Sequence, residues 1–154
     1  MADFGIVALR IGCGTAGLGP LPMSSADRLR VLEFRPDLVV SLTGLPEMSE
    51  LGAPDLQHYL TGAGFAWTGF PVPDFGIPTP GQDRPTLSHR LHALLDNGGR
   101  VLAHCRGGCG RSGMILLRLM VEAGEDPEAA LIRLRQVRPC AVETDEQLAW
   151  AVTA

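Results

Sequence analysis

The amino-acid sequence predicts an α/β fold, with a central, mostly parallel sheet flanked by helices. Three observations predict it. Short, continuously apolar runs such as Asp37-Leu38-Val39-Val40-Ser41-Leu42 have the character of strands buried on both faces. They alternate with segments whose apolar residues recur at helical spacing, such as Leu87, Leu91, Leu94 and Leu95. One run, Val101-Leu102-Ala103, passes through a glycine-rich turn into a helical stretch from Gly113 to Met120. Alternation of this kind sets strands parallel and helices on the sheet faces. Functional sites in such sheets lie beyond the carboxyl ends of the strands.

Along the chain, Phe4 to Leu9 reads as a first strand and Ile11 to Pro22 as a loop rich in Gly and Pro. Ser24 with Asp27 three residues on reads as a capping box opening a helix through Phe34. The second strand is Asp37 to Leu42. Pro54 to Leu60 fits a helix ended near Gly62 and Gly64, and Phe65 to Phe70 a third strand. Pro71 to Pro85 holds five prolines, too many for regular structure, and reads as an ordered loop of the kind that carries function. The helix bearing Leu87 to Leu95 stops at Asn97-Gly98-Gly99. After the fourth strand and the helix that follows it, Asp126-Pro127 caps a helix running to about Val137. A last short helix starts near Thr144 and carries Leu148 and Trp150. No repeat, linker or second domain is visible, so residues 1–154 read as one domain.

Composition narrows the function classes. Apolar residues form 45% of the chain, too many for disorder, and 154 residues allow a real core. The net charge of −4 gives no case for nucleic acid or an acidic membrane surface. No apolar run is long enough to span a bilayer. The segment from Met1 to Gly5 lacks the basic stretch and apolar core of a signal peptide. The expectation is therefore a cytoplasmic protein whose four cysteines, Cys13, Cys105, Cys109 and Cys140, are free thiols. No Cys-x-x-Cys pair suggests zinc, and no metal or other cofactor is expected.

The chemistry concentrates in His104-Cys105-Arg106-Gly107-Gly108-Cys109-Gly110-Arg111-Ser112. A strand, a glycine-rich turn and a helix N-terminus make an anion site, because backbone N–H groups converge there and the helix dipole adds positive potential. Cys105 sits at the base of that field, which favours its thiolate. Arg111 can fork two N–H donors onto two oxygens of a phosphate-like group. The reaction implied is attack of a thiolate on phosphorus.

His-Cys, five residues, Arg-Ser, with glycine third among the five, resembles the signature of the cysteine-dependent protein tyrosine phosphatases. The Gly-Gly-x-Gly-Arg-Ser ending resembles the dual-specificity branch, especially its kinase-associated and cell-cycle members. The resemblance covers the whole chain and implies the phosphatase-like fold. It implies Cys105 as nucleophile, Arg111 and the backbone of Arg106, Gly107, Gly108, Cys109 and Gly110 as the phosphate-binding loop, and His104 as the residue orienting that loop. It also implies Ser112 as donor to the departing thiolate. Asp74, in Phe70-Pro71-Val72-Pro73-Asp74-Phe75-Gly76-Ile77-Pro78, resembles the family's general acid. Asp83 competes for that role but reads as a helix N-cap before Arg84-Pro85. Gln147 has two readings, a glutamine near the hydrolytic water or the far end of a capping box with Thr144. Cys140 stands where the family usually has glycine, and Cys109 where an apolar residue is common. Cys109 is expected to be a small packed thiol, with a disulfide to Cys105 as the alternative.

The remaining candidates read as ordinary structure. Arg106 is expected at the mouth of the site. His89 and His92, three apart, read as a solvated helix face, and His58 carries no signal. Met114 and Met120 read as core. The resemblance implies a phosphoprotein substrate; the sequence leaves the oligomeric state open, with a monomer favoured. The alternatives are a related enzyme acting on phosphoinositide, RNA 5′-phosphate or arsenate, or transferring sulfur, and a phosphate-binding module without turnover.

Overall fold

Strands β1 (Val7–Ile11) and β2 (Gly14–Gly19) form an antiparallel hairpin at one edge of a five-stranded sheet. β3 (Leu38–Ser41), β4 (Trp67–Gly69) and β5 (Arg100–His104) complete it in the order β1-β2-β5-β3-β4, every pair after the hairpin being parallel. The sheet is therefore mostly parallel, as expected. This computed structural model describes residues 4–153. Met1 to Asp3, the head of the segment read for a signal peptide, lie outside the described residues.

The hairpin corrects the sequence reading. β1 starts three residues later than expected, and β2 occupies the stretch read as a loop. Glycine density hid it. A Cβ on Gly17 would lie 2.7 Å from the Phe34 ring, and one on Gly14 would lie 2.7 Å from the Leu95 backbone. These glycines let a helix C-terminal end and a neighbouring ring pack directly on the strand, rather than breaking it.

Helices cover both faces. α1 (Ser25–Phe34) opens on a capping box between Ser24 and Asp27 and ends at Arg35 in the left-handed region, φ 54°. α2 (Leu45–Leu51) was not anticipated, although Pro46 in its first turn and Gly52 at its end are ordinary helix punctuation. α3 (Leu56–Gly62) follows close on it. α4 (Arg84–Asp96) starts on an Asp83 cap and takes Pro85 into its first turn. α5 (Gly110–Glu122) is buried along most of its length. α6 (Pro127–Val137) starts on an Asp126 cap and α7 (Asp145–Val152) on a Thr144 cap.

Alternation along the central strands decides which helices pack where. Leu38 and Val40 of β3, with Val101 and Ala103 of β5, meet Leu91, Met114, Leu117 and Leu134 on one face. Val39 and Leu102 meet Val31, Met48, Leu56 and Leu60 on the other. β5 thus lies in the middle of a sheet buried on both sides, and its carboxyl end opens between the two helical layers. His92 departs from the solvated reading. Its Nε2 lies 3.1 Å from Glu122, which also binds Arg84 at 2.9 Å and ties α4 to α5. No helix among the described residues is long and apolar enough to cross a membrane.

Candidate active site

The segments that follow β4 and β5, with the connection between α6 and α7, line one cleft of about 320 Å³. Its lining includes Asp74, Phe75, Cys105, Arg106, Arg111 and Glu143. The turn after β5 is shaped by its glycines. Gly108 has φ 74°, and a Cβ there would come within 2.6 Å of the backbone at Gly19 and Pro20, which cannot yield. Only glycine lets the turn after β5 cross the end of β2. Cys105 N–H donates to Gly19 O and Leu21 N–H to Arg106 O, holding the two segments together.

The N–H groups of Arg106, Gly107, Gly108 and Cys109 find no acceptor among the described residues. α5 starts directly after them without a side-chain cap, unlike α1, α4, α6 and α7. Orphan donors and an uncapped helix end together give this turn the geometry that suits an anion.

Cys105 is 3% exposed, with Sγ 3.3 Å from Ser112 Oγ. His104 is buried behind it, its Nδ1 lying 3.3 Å from the Cys105 carbonyl oxygen. Burial lowers the His104 pKa to about 4, so the ring is neutral near pH 7.

Arg111 is almost wholly buried. Its Nη1 and Nη2 donate to the two carboxylate oxygens of Glu47 at 2.8 and 2.9 Å, and Nη1 also donates to Val72 O at 3.0 Å. Burial pulls this guanidinium down, but Glu47, with smaller contributions from Cys105 and Asp74, leaves its pKa raised. Reciprocally, the hydrogen bonds from Arg111 hold Glu47 below its ordinary value. Glu47 was missing from the sequence reading. It sits in the first turn of α2, 64 residues from its partner, and recognising that helix was the available signal.

Asp74 approaches Arg111 Nη2 at 3.4 Å and stays open to solvent. The loop carrying it is pinned at several points. Val72 N–H donates to Leu42 O, Gln82 Nε2–H donates to Pro71 O, and Gln147 Nε2–H donates to Gly76 O at 3.1 Å. Gln147 does more than either sequence reading allowed. Its Oε1 accepts from Glu143 N–H and Thr144 N–H in the cap, while its Nε2 tethers the Asp74 loop. Asp83 lies outside this cleft. It caps α4, accepting from Thr86 N–H at 3.1 Å and from the Thr86 hydroxyl at 2.7 Å.

Cys109 and Cys140 form a disulfide, with Cα atoms 5.2 Å apart. This corrects the expectation of four free thiols and of a packed Cys109 thiol. Cys13 and Cys105 alone are free. The helical hairpin of α5 and α6 returns the chain past the turn that follows β5, which brings together residues 31 apart. Arg138 fixes the same contact by donating to the Gly108 and Gly107 carbonyls at 2.8 and 2.9 Å. With two cysteines paired, cysteine usage no longer argues for a reducing compartment.

A family model described as "Tc-R-P: Polymorphic toxin system, DSP-PTPase phosphatase" matches residues 22–125. Cyclin-dependent kinase inhibitor 3 of Rattus norvegicus is 31% identical over 104 residues, covering 66% of this chain and 49% of that protein. Laforin of Mus musculus is 34% identical over 79 residues, covering 49% of this chain and 23% of that protein. The chain therefore spans half or less of these curated relatives. Among solved structures, a kinase associated phosphatase with its catalytic cysteine changed to serine superposes with a TM-score of 0.84 at 22% identity. That match covers 98% of this chain and 93% of the other. Tk-PTP in its active form superposes with a TM-score of 0.66 at 28% identity, covering 94% and 92%.

Proposed function

The chain belongs to the cysteine-based tyrosine and dual-specificity phosphatase family, and from that premise we propose that it hydrolyses phosphomonoesters of proteins through a phosphocysteine intermediate. One observation carries the reading: Cys105, Ser112, Arg111 and Asp74 meet in a single cleft around unpartnered backbone N–H groups. A bound phosphate sits over Cys105. The N–H groups from Arg106 to Gly110 and the Arg111 guanidinium take its equatorial oxygens, where charge gathers in the transition state.

In the first step the Cys105 thiolate forms an S–P bond as the ester P–O bond breaks. Asp74 gives its proton to the departing oxygen. In the second step Asp74, now a carboxylate, takes a proton from water. The water oxygen bonds to phosphorus and the S–P bond breaks, releasing phosphate and restoring the thiolate. Ser112 donates a hydrogen bond to that returning thiolate. Gln147 holds the Asp74 loop through Gly76, which places it in a positioning role. Phe75 supports an aryl leaving group, because its exposed ring lies beside Asp74 on the cleft wall. A phosphotyrosyl protein accounts best for that ring, and a monomer suffices for every step.

The test is hydrolysis of an aryl phosphate without added metal. Cys105→Ser is expected to abolish turnover while inorganic phosphate still binds. Arg111→Lys is expected to lose most activity, since lysine keeps the charge and loses the planar fork. Asp74→Asn should slow an alkyl phosphate far more than an activated aryl phosphate, and Asp83→Asn should leave both unchanged. Persistent turnover in Cys105→Ser would sink the covalent mechanism, and the Asp74 pattern appearing in Asp83→Asn would move the acid.

A further inference from the structure

Strands β3 and β4 bring to the back of the site two side chains that the mechanism above does not use. In the parallel ladder, Ser41 pairs with Gly69, and Trp67 lies two residues earlier on the same strand. The indole reaches forward over Gly69, where a Cβ would stand 2.9 Å from its ring, and donates Nε1–H to Ser41 Oγ at 2.8 Å. Ser41 Oγ in turn meets His104 Nε2. Ser41 and His104 are both fully buried, so water does not compete for these bonds.

Chemistry fixes the direction of each bond. An indole N–H can only donate, so Ser41 Oγ accepts from Trp67. The Cys105 carbonyl oxygen can only accept from His104, so the one proton of a neutral ring lies on Nδ1 and Nε2 is left to accept the Ser41 hydroxyl proton. This assignment needs a neutral ring, which burial of His104 provides. In a planar trans peptide the C=O and N–H point in opposite directions. Holding the Cys105 carbonyl on His104 turns the Arg106 N–H of the same peptide away from the histidine, and that N–H has no acceptor among the described residues.

We propose that Trp67 and Ser41 are positioning residues for the Cys105 nucleophile, acting through His104 to set the peptide whose Arg106 N–H serves the thiolate and the bound anion. The proposal rests on the reading of Cys105 as nucleophile. The charged and polar groups that face Cys105 and His104 from the other elements stay the same when Trp67 or Ser41 changes. These are Arg111 and Ser112 of α5, Glu47 of α2, Asp74 of its loop, and Arg106 and Glu143 on the cleft.

Two readouts that need no turnover test it. Histidine nitrogen NMR of the intact protein should show His104 as the Nδ1–H tautomer, and Ser41→Ala should mix the tautomers. Iodoacetamide alkylation of Cys105 at mildly acidic pH, read by peptide mass in a Cys13→Ser background, should slow about three- to tenfold in Trp67→Phe, the scale of one buried hydrogen bond. Ser41→Ala should slow it at least as much, and the double variant should equal Ser41→Ala alone, because both substitutions cut one chain. An Nε2–H tautomer in the parent, an unchanged alkylation rate in a folded Trp67→Phe, or additive losses in the double variant would overturn the proposal. If Ser41→Ala fails to fold, the partly buried Trp67 still supplies the decisive variant. If the parent fails to hydrolyse aryl phosphates while these effects persist, the phosphatase reading falls and the relay stands.

Discussion

Arg111 has almost no exposed surface, and both terminal nitrogens of its guanidinium end on one carboxylate. A free arginine would sample many rotamers, but this one is held in one plane by its protein partners. Glu47 supplies that order, with Val72 O as a third anchor. Removing one partner of a buried pair leaves a charge without compensation, which costs about 3–5 kcal/mol when both groups are fully buried. Glu47 is 24% exposed at its side chain, so the expected loss for Glu47→Ala lies below that range. The variant should melt at lower temperature and lose at least about tenfold in kcat/KM, an amount worth roughly 1.4 kcal/mol. Glu47→Gln, which keeps one acceptor oxygen, should lose less. Parent-like melting and turnover in both would show that Arg111 needs no positioning partner. His104, Cys105, Arg111 and Ser112 were legible because they are contiguous in sequence and their spacing encodes one turn. Glu47, Ser41, Trp67 and Arg138 were not, because each reaches the site through tertiary contact alone.

At the scale of elements, the helices with polar caps were legible. Ser24, Asp83, Asp126 and Thr144 each accept from a backbone N–H three residues on, and each helix starts at that cap. α2 and β2 were not. α2 has glycine at its N-cap with no side-chain bond, and β2 is half glycine, so neither carries the local signal by which such elements are read. The α6–α7 connection held a second surprise. It is tied to the anion loop by the Cys109–Cys140 bond and by Arg138. Closing a loop of 31 residues removes chain entropy from the unfolded state worth about 3–4 kcal/mol. Cys140→Ser should therefore lower unfolding stability by up to that amount in a denaturant titration. It should retain turnover, because both Arg138 hydrogen bonds to the loop carbonyls remain. An unchanged denaturation midpoint would show that the bond contributes nothing to the folded state. A collapse of turnover at full folding would show that Arg138 cannot hold the loop alone.

For the whole molecule, the position of β5 couples the site to global stability. β5 is the central strand of the sheet, and His104 at its carboxyl end is buried between its neighbours and the turn that follows. Burial brings the His104 pKa from 6.5 to about 4. The unfolded chain, with its histidine exposed, takes up the proton first as pH falls. The folded state is thus fully favoured above about pH 6.5, and this contribution is lost progressively between about 6.5 and 4, at up to about 1.4 kcal/mol per pH unit. Glu47, paired with Arg111, and Asp55, paired with Arg28 at 2.9 Å, act in a different window. Their arginine partners lower both, Asp55 to about 2, so their stabilisation is present above about pH 4.5 and fades only below it. The interval from 6.5 to 4.5 accordingly isolates His104 from these two carboxylates. Denaturation midpoints should fall across that interval in the parent, and the difference between parent and His104→Gln should change with pH in the same window. NMR of the parent should show the His104 ring unprotonated down to about pH 5. A parent and a His104→Gln variant whose stabilities fall in parallel from 6.5 to 4.5 would mean that the ring is not the proton acceptor that acid unfolding requires.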